Sequence, residues 1–351
     1  MNPTYQVSQS YDWNFEHGPI FEKEIPKREI PAKKVELLGF KLNSRIGVPA
    51  GPLLNSNWIK LYAELGFDIP VYKTVRSVTR ESHPQPNCVF VNTEKQFTTK
   101  NTGETIIGSL DELTSSEKIT ITNSFGMPSR DPKEWMTDIE RANSFLAENQ
   151  VMIVSVVGTP DVSENLEEDY ARTAALAKEA GAKIIEANYS CPNVQSGEGS
   201  IFLDADFSAK ISKTIRREIG DTPLLIKVGN FPDLNLMREV VEKNAEFVNG
   251  ISGINTLTMK IVDSEKKQIL TGEGRLTSGL CGFGIREIAQ NFADELASLR
   301  GKLGKEFVIC GVGGITKAAD FTTRLQSADI AMSATGAMWN PLLASEYHRI
   351  R

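Results

Sequence analysis

Metal-binding side chains are scarce in this 351-residue chain. It has four cysteines and three histidines, and the cysteines are scattered. Cys88, Cys191, Cys281 and Cys310 form no Cys-x-x-Cys pair, so the spacings typical of zinc and iron–sulfur sites are missing. We therefore predict no metal site.

Long apolar runs and basic clusters are also lacking. No run approaches the ~18 apolar residues of a membrane span, and the start, MNPTYQVSQSYDWNF, has no apolar segment typical of a secretory signal. The net charge of −6, without a basic block, argues against nucleic acid as a partner. Scattered thiols suit a reducing compartment. We expect a cytoplasmic protein that acts on a small molecule, without a membrane or nucleic-acid partner.

What the chain does contain is an alternation of short apolar segments with segments of helical period. The eight apolar segments span residues 46–51, 68–77, 152–158, 183–188, 224–229, 249–256, 307–314 and 329–335. The helical segments span residues 56–67, 163–181, 207–220, 234–247, 284–301 and 316–328. Near-continuous apolar strands separated by helices favour parallel pairing with both faces buried. Eight such units predict an α/β protein with a single (β/α)8 TIM barrel, and an open doubly wound sheet is the alternative.

Two regions do not follow this repeat. Residues 1–45 are rich in proline and charge and contain a possible hairpin in VELLGFKLNSRIGV that could close the bottom of the barrel. Residues 78–122, after the second strand, are too long for a plain connection, so we expect separate strands or a lid there. The predicted division is an extension over 1–45 and a barrel over 46–351.

Unusual polar residues follow the predicted strands, where a TIM barrel builds its active site. Lys73 and Lys227 lie within strands, and a buried lysine is costly unless it meets an anion or a polar ligand. Either lysine alone could equally belong to a structural salt bridge. The other candidates at strand ends are Ala50, Gly51, Asn123, Asn188, Cys191, Asn193, Asn255, Thr256, Gly313, Gly314 and Thr335.

The last two strands carry a phosphate-binding pattern. GVGGI, residues 311–315, leads into a helical segment, and SATGA, residues 333–337, follows one strand later. Loops after strands seven and eight, next to a helix N-terminus, form the common phosphate site of such barrels. Tight strand-to-helix turns are the alternative explanation for these glycines.

Cys191 lies in an unusually polar setting. It stands between Asn188 and Asn193 and is followed by Pro192, whereas a free cysteine is usually a small buried hydrophobe. A partly exposed thiol near cationic lysines has a lowered pKa and can act as a base. Asparagine amides both donate and accept, so a group of them can bind a planar ring that alternates C=O and N–H groups. An inert packed thiol is the alternative.

These residues resemble a known family. NYSCPN, residues 188–193, looks like the catalytic-loop motif of the dihydroorotate dehydrogenases, and TNSFGMP, residues 122–128, resembles their Asn-Ser-x-Gly-x-Pro turn. The stretch 73–87 is similar to the one that begins with the flavin-contacting lysine of that family. The resemblance runs from about residue 36 to 345 and is strongest to the soluble, cysteine-using class 1.

The resemblance implies an FMN-dependent barrel that oxidises (S)-dihydroorotate to orotate in pyrimidine biosynthesis. Cys191 would remove the C5 proton, the C6 hydride would pass to N5 of FMN, and Lys73 would support the reduced flavin. The implied substrate ligands are Asn123, Asn188, Asn193 and Asn255. The implied flavin contacts are Ala50, Gly51, Lys73, Thr74, Asn188, Lys227, Thr256, Gly279, Gly313, Gly314, Ala334 and Thr335. We also expect a homodimer.

Some positions depart from the family pattern. Ala334 stands where the family usually has glycine, and the membrane-bound class has serine in place of Cys191. A dihydropyrimidine dehydrogenase acting on dihydrouracil or dihydrothymine is the second candidate, although that relative usually has histidine where Asn193 stands. A flavin-binding barrel without this activity is the third. Fumarate, NAD through a partner subunit and oxygen are all open as the terminal oxidant.

Overall fold

The computed structural model describes residues 3–28, 30–111, 115–160, 162–163, 165–190 and 197–351. Eight parallel strands form a closed barrel in which neighbours along the chain are neighbours in the sheet. They are β3 Ile46–Val48, β4 Ile69–Val75, β8 Ile153–Val156, β9 Ile184–Asn188, β10 Leu224–Lys227, β11 Gly250–Gly253, β14 Val308–Val312 and β15 Ile330–Met332. Each lies inside one of the eight predicted segments, so the predicted barrel is confirmed.

Helices connect the barrel strands. They are α2 Ser56–Glu64, α3 Pro132–Ser144, α4 Leu166–Glu179, α5 Ala205–Ile219, α6 Leu234–Asn244, α7 Arg286–Leu303, α8 Ala318–Arg324, α9 Thr335–Trp339 and α10 Leu343–Ile350. Side-chain caps begin several of them: Asp204 accepts from the Phe207 N–H, and Asp233 accepts from Asn235 and Leu236. The helix α3 was not predicted, although Asp131 and Pro132 form a typical helix start.

The N-terminal hairpin closes the lower end of the barrel. Strands β1 Val35–Leu37 and β2 Phe40–Leu42 pair in antiparallel fashion. Fully buried Leu42 packs inside the barrel among the first residues of the strands, including Ile69, Ile153 and Ile184. The predicted role of VELLGFKLNSRIGV is therefore confirmed. The extension also contains a short helix, α1 Tyr11–His17, before the hairpin.

A second sheet of five strands adjoins the upper, carboxyl end of the barrel. Its order is β5 Cys88–Phe90, β7 Thr120–Asn123, β13 Thr277–Gly282, β12 Leu257–Val262 and β6 Thr105–Ile107. The strands expected in the insertion after the second barrel strand are thus present. The β12–β13 hairpin, which follows β11, was not predicted. Short 3₁₀ helices span Thr99–Asn101, Ser116–Lys118, Gly197–Leu203 and Phe283–Ile285.

The length and the hydropathy of the helices decide whether one of them could span a membrane. Within the described ranges, no helix is both long enough and apolar enough to cross a membrane.

Candidate active site

A deep cleft lies at the carboxyl ends of the barrel strands, beside the second sheet. It encloses about 1160 Å³ of space free of protein atoms, part of it open to solvent. The predicted residues that line it are Ala50, Gly51, Lys73, Thr74, Asn123, Asn188, Lys227, Asn255, Thr256, Gly313, Gly314, Ala334 and Thr335.

Three predicted site residues are not among the described residues that line the cleft. Gly279 lies inside β13, paired with Thr258 and Asn123, and does not line the cleft, whereas Cys281 and Gly282 of the same strand do. Cys191 and Asn193 lie outside the described residues. The cleft therefore brings together predicted residues from seven barrel strands and from β7.

Two buried lysines face the cleft. Lys73 is 8% exposed and Lys227 is 4% exposed. The pairing register of β4 with β8 shifts between Tyr72 and Val75, and Lys73 lies within this irregularity. Positive charge at this end of the barrel suits a ligand that carries negative charge.

Asparagine side chains organise the wall around β9. The Asn188 carbonyl oxygen Oδ1 accepts from the Ser190 N–H at 3.1 Å, and Asn255 Nδ2 donates to the Ser190 carbonyl oxygen. The backbone carbonyl of Asn188 accepts from the Tyr170 hydroxyl at 2.7 Å. Two cleft asparagines therefore fix both backbone groups of the residue that directly precedes Cys191.

The third cleft asparagine belongs to the second sheet. Asn123 ends β7, and its Nδ2 donates to the Cys281 Sγ at 3.5 Å. Its backbone carbonyl accepts from the Ser278 hydroxyl at 2.9 Å. The sheet thus holds the Asn123 backbone while the side chain faces the cleft.

Glycines form the opposite end of the cleft. Gly314 has φ +75°, and a Cβ there would lie 2.1 Å from the Arg286 Cα. A Cβ on Gly336 would lie 2.2 Å from the Ile315 carbonyl oxygen, so neither position accepts a side chain. The helix α9 begins beside these glycines at Thr335, and the Ser333 hydroxyl accepts from its Ala337 N–H at 3.0 Å. A glycine backbone without covering side chains suits the oxygens of a phosphate group.

Arg286 holds the glycine loop in place. It donates from Nε to the Gly314 carbonyl at 2.9 Å and from Nη2 to the Thr316 hydroxyl at 2.6 Å, and it pairs with Asp320 at 2.8 Å. The sequence analysis did not single it out, because it lies one strand earlier in the chain.

A polar group on the wall after β11 lacks a hydrogen-bond partner among the described residues. The Thr256 hydroxyl is buried, and no hydrogen bond joins it to another described residue. Thr74 differs, since its hydroxyl lies 2.9 Å from that of Ser155. Buried hydroxyls are normally satisfied, so Thr256 is suited to a polar atom of a ligand.

Two cysteines missed as site residues line the cleft. Cys88 and Cys281 are free thiols, and burial raises the pKa of both. Asn123 and Thr335 oppose this effect at Cys281 by hydrogen bonding. Both groups are therefore protonated at neutral pH and poor proton acceptors.

Tyr5 and Tyr11, from the N-terminal extension, also line the cleft. No local pattern in the sequence pointed to them. Within the part of the chain that the structure describes, no group of three His, Cys, Asp or Glu side chains could hold a metal ion.

Known proteins share this sequence and fold. The dihydroorotate dehydrogenase family matches residues 33–339. A dihydroorotate dehydrogenase of Dictyostelium discoideum is 42% identical, over 99% of this chain and 96% of that protein. The catalytic subunit of a dihydroorotate dehydrogenase B (NAD⁺) of Porphyromonas gingivalis is 32% identical, but over 46% of this chain and 50% of its own length.

The fold comparison agrees. A dihydroorotate dehydrogenase of Eimeria tenella, crystallised with ferulenol, superposes with a TM-score of 0.71 at 16% identity, over 94% of this chain and 85% of that one. At this identity the likeness concerns the fold alone. The full-length sequence relationship decides the assignment, and this chain belongs to the dihydroorotate dehydrogenase family.

Proposed function

We propose that the protein oxidises (S)-dihydroorotate to orotate with FMN in pyrimidine biosynthesis, as an oxidoreductase acting on a CH–CH bond. The observation that carries the proposal is the joint placement of two buried lysines, three amides and a glycine-lined end in one cleft of a member of this family. Enzymes of this family are flavoproteins, and the groups that line the cleft have the chemistry to hold a flavin.

The residues present fit FMN. The glycine end around Gly313, Gly314 and Thr335 suits its phosphate, because its glycine backbone has no covering side chains and lies beside the start of α9. The unpartnered Thr256 hydroxyl provides one further hydrogen bond, and Gly51, at φ +128° with open space where a Cβ would project, leaves room for a planar ring. When bound, the flavin supplies the acceptor for the C6 hydride.

The lysines supply positive charge beside this ring. Lys73 and Lys227 line the cleft from β4 and β10, and neither has more than a tenth of its surface exposed. In a water-poor site, a fixed cation stabilises developing negative charge far more than it does in water. We assign Lys73 this catalytic role, and Lys227 a role in cofactor binding.

Cys191 is the proposed base that removes the proton from C5. The supporting observation is that Asn188 and Asn255 hold both backbone groups of Ser190, which fixes the start of the loop that carries Cys191. The thiols that line the cleft, Cys88 and Cys281, have raised pKa values and remain protonated, so they are unsuited to this task. Asn123, Asn188, Asn193 and Asn255 are the proposed ligands of the ring amides and the carboxylate.

The second candidate is oxidation of dihydrouracil or dihydrothymine, which lack the ring carboxylate. Two buried lysines and the amides favour an anionic ring over these neutral ones. A homodimer and a cytoplasmic location remain predictions, to be checked by light scattering and by cell fractionation.

A steady-state assay tests the function. Orotate formation from dihydroorotate, with an artificial electron acceptor, should far exceed product formation from dihydrouracil or dihydrothymine at equal concentration. Heat-released cofactor should elute as FMN in chromatography. Preferred turnover of dihydrouracil would establish the second candidate, and recovery of FAD would remove the cofactor assignment.

A further inference from the structure

The N-terminal extension reaches both ends of the barrel. Its hairpin closes the lower end, whereas residues 3–20 run along the cleft at the upper end and place Tyr5 and Tyr11 in its wall. The match to the family model covers residues 33–339, so these two tyrosines lie before it.

This segment is firmly attached to the barrel. Thr4 donates from its N–H to the Met338 carbonyl at 3.0 Å, and its hydroxyl lies 2.7 Å from that of Tyr62. Asn55 donates to the Phe15 carbonyl at 2.7 Å. Hydrogen bonds to α2 and α9 therefore hold the segment on both sides of Tyr5, as expected of a fixed wall.

Both tyrosine rings pack edge-on against Phe125. The ring centroids are 5.7 Å apart for Tyr5 and 6.1 Å for Tyr11, with interplanar angles of 83° and 62°. Tyr5 is 2% exposed and Tyr11 is 5% exposed. Phe125 follows Asn123 by two residues and precedes Met127, whose sulfur accepts from Asn188 Nδ2 at 3.5 Å. The tyrosines thus support the segment that connects two cleft asparagines.

Tyr11 also separates two cavities. A second cavity of about 740 Å³ lies between α1 and α3, and Tyr11, Lys73 and Thr74 line both it and the cleft. The Tyr11 ring is therefore part of the wall beside Lys73.

The Tyr5 hydroxyl is buried at the cleft. Burial raises its pKa, and the side chain of Asn14, which also hydrogen-bonds to the backbone of Gln6 and Ser10, opposes this rise. The contact of the Tyr5 ring with Phe125 links Tyr5 to the cleft wall.

We propose that Tyr5 and Tyr11 are positioning residues for the substrate: by supporting Phe125, they hold residues 123–127 so that Asn123 meets the ring of a pyrimidine carboxylate. The identity of that substrate rests on the proposed function. The positioning itself follows from the aromatic contacts and the burial.

Kinetics with holoenzyme test the substrate role. Tyr5→Ala should raise KM for dihydroorotate by about 2- to 10-fold, the loss of one aromatic pair, with kcat changed by less than about 2-fold. Tyr5→Phe should restore the wild-type KM, since it keeps the ring. Trp13→Ala is the matched control, because Trp13 belongs to the same segment but stacks on His17 away from the cleft. Equal KM values for Tyr5→Ala and wild type would overturn the proposal.

Hydrogen exchange provides a readout independent of activity. Ser124 donates its N–H to the Asn87 carbonyl at 2.8 Å, and His83 donates to the Phe125 carbonyl at 2.9 Å. Both amides should exchange faster in Tyr5→Ala than in Trp13→Ala or wild type. If wild type fails to oxidise dihydroorotate but this difference is present, the proposed function is wrong and the positioning role stands. Unchanged exchange at both amides would refute the positioning role whatever the substrate.

Discussion

The two ends of the barrel interior differ, although the same strands build both. At the lower end the inward side chains are apolar, as at Ile69 and Ile184, and Leu42 of the hairpin packs among them. Four residues later on the same strands, Lys73 and Asn188 face the cleft. We therefore expect substitutions at the lower end to alter the stability of the fold, and substitutions at the upper end to alter the rate of the reaction.

One residue marks the boundary between these ends. Glu186 lies between Ile184 and Asn188 on β9, is fully buried, and has no hydrogen bond from another described residue to either carboxylate oxygen. Burial raises the pKa of the neighbouring Cys310 thiol. Glu186 raises that pKa further, whereas Lys227 lowers it. The charges of Glu186 and Lys227 therefore act on the same part of the interior.

The largest effect is expected from Cys191, the proposed base. Cys191→Ala should retain FMN and bind orotate, but flavin reduction by dihydroorotate should slow by about 10²–10⁴-fold, as for loss of a positioned acid–base group. Cys191→Ser should keep some activity with its pH optimum moved upward, since a hydroxyl is a weaker acid than a thiol. Stopped-flow absorbance gives the rates. Cys88→Ala, which removes a thiol that burial keeps protonated, is the control, and a wild-type rate in Cys191→Ala would show that the thiol only packs.

Lys73→Ala should act on the reaction more than on the fold. Flavin reduction should fall by about 10²–10³-fold, as when one electrostatic group of an active site is removed. Exposed Lys60→Ala on α2 is the control. A loss of about 3–5 kcal/mol in the free energy of unfolding, with normal turnover of the folded protein, would instead identify a structural ion pair.

Ile153→Ala at the lower end should show the reverse pattern. Ile153 is fully buried inside the barrel, so the cavity should lower the free energy of unfolding by about 2–5 kcal/mol. Turnover per folded molecule should stay unchanged. Urea unfolding with Ile350→Ala, at a position 61% exposed, provides the control. A loss of turnover without a loss of stability would break the division between the two ends.

The smallest effect is expected from Thr256→Val. This change keeps the shape but removes the unpartnered hydroxyl, so FMN should bind with about 1 kcal/mol less free energy, roughly five-fold weaker. Titration of the apoprotein, followed by flavin fluorescence, measures the affinity. Exposed Thr322→Val should not change it. Equal affinities for Thr256→Val and wild type would show that the hydroxyl does not contact the cofactor.

The barrel could be predicted because each strand carries its own signal. Segments such as 183–188 are apolar, end in polar residues and precede a helical period, and all of this is local in the chain. The second sheet could not be predicted in the same way. It pairs β7 with β13, and Asn123 with Gly279, across more than a hundred residues.

The site was predicted where its residues end barrel strands. Gly279 was expected at the flavin, but the strand register places it beside Asn123, and Cys281 and Gly282 line the cleft. Tyr5 and Tyr11 gave no signal, since their position depends on the path of an irregular segment across the barrel mouth. Motif position thus indicated the region, and the pairing register decides which side chains of the second sheet line the cleft.

The central claim is that the polar end of the barrel is a catalytic site for dihydroorotate, and a single anaerobic turnover tests it most directly. Wild-type holoprotein is mixed with dihydroorotate without oxygen, and flavin absorbance and orotate are followed together. We expect one equivalent of dihydroorotate to bleach the flavin and to yield one orotate per chain. A flavin that stays oxidised, with no orotate formed, would contradict it.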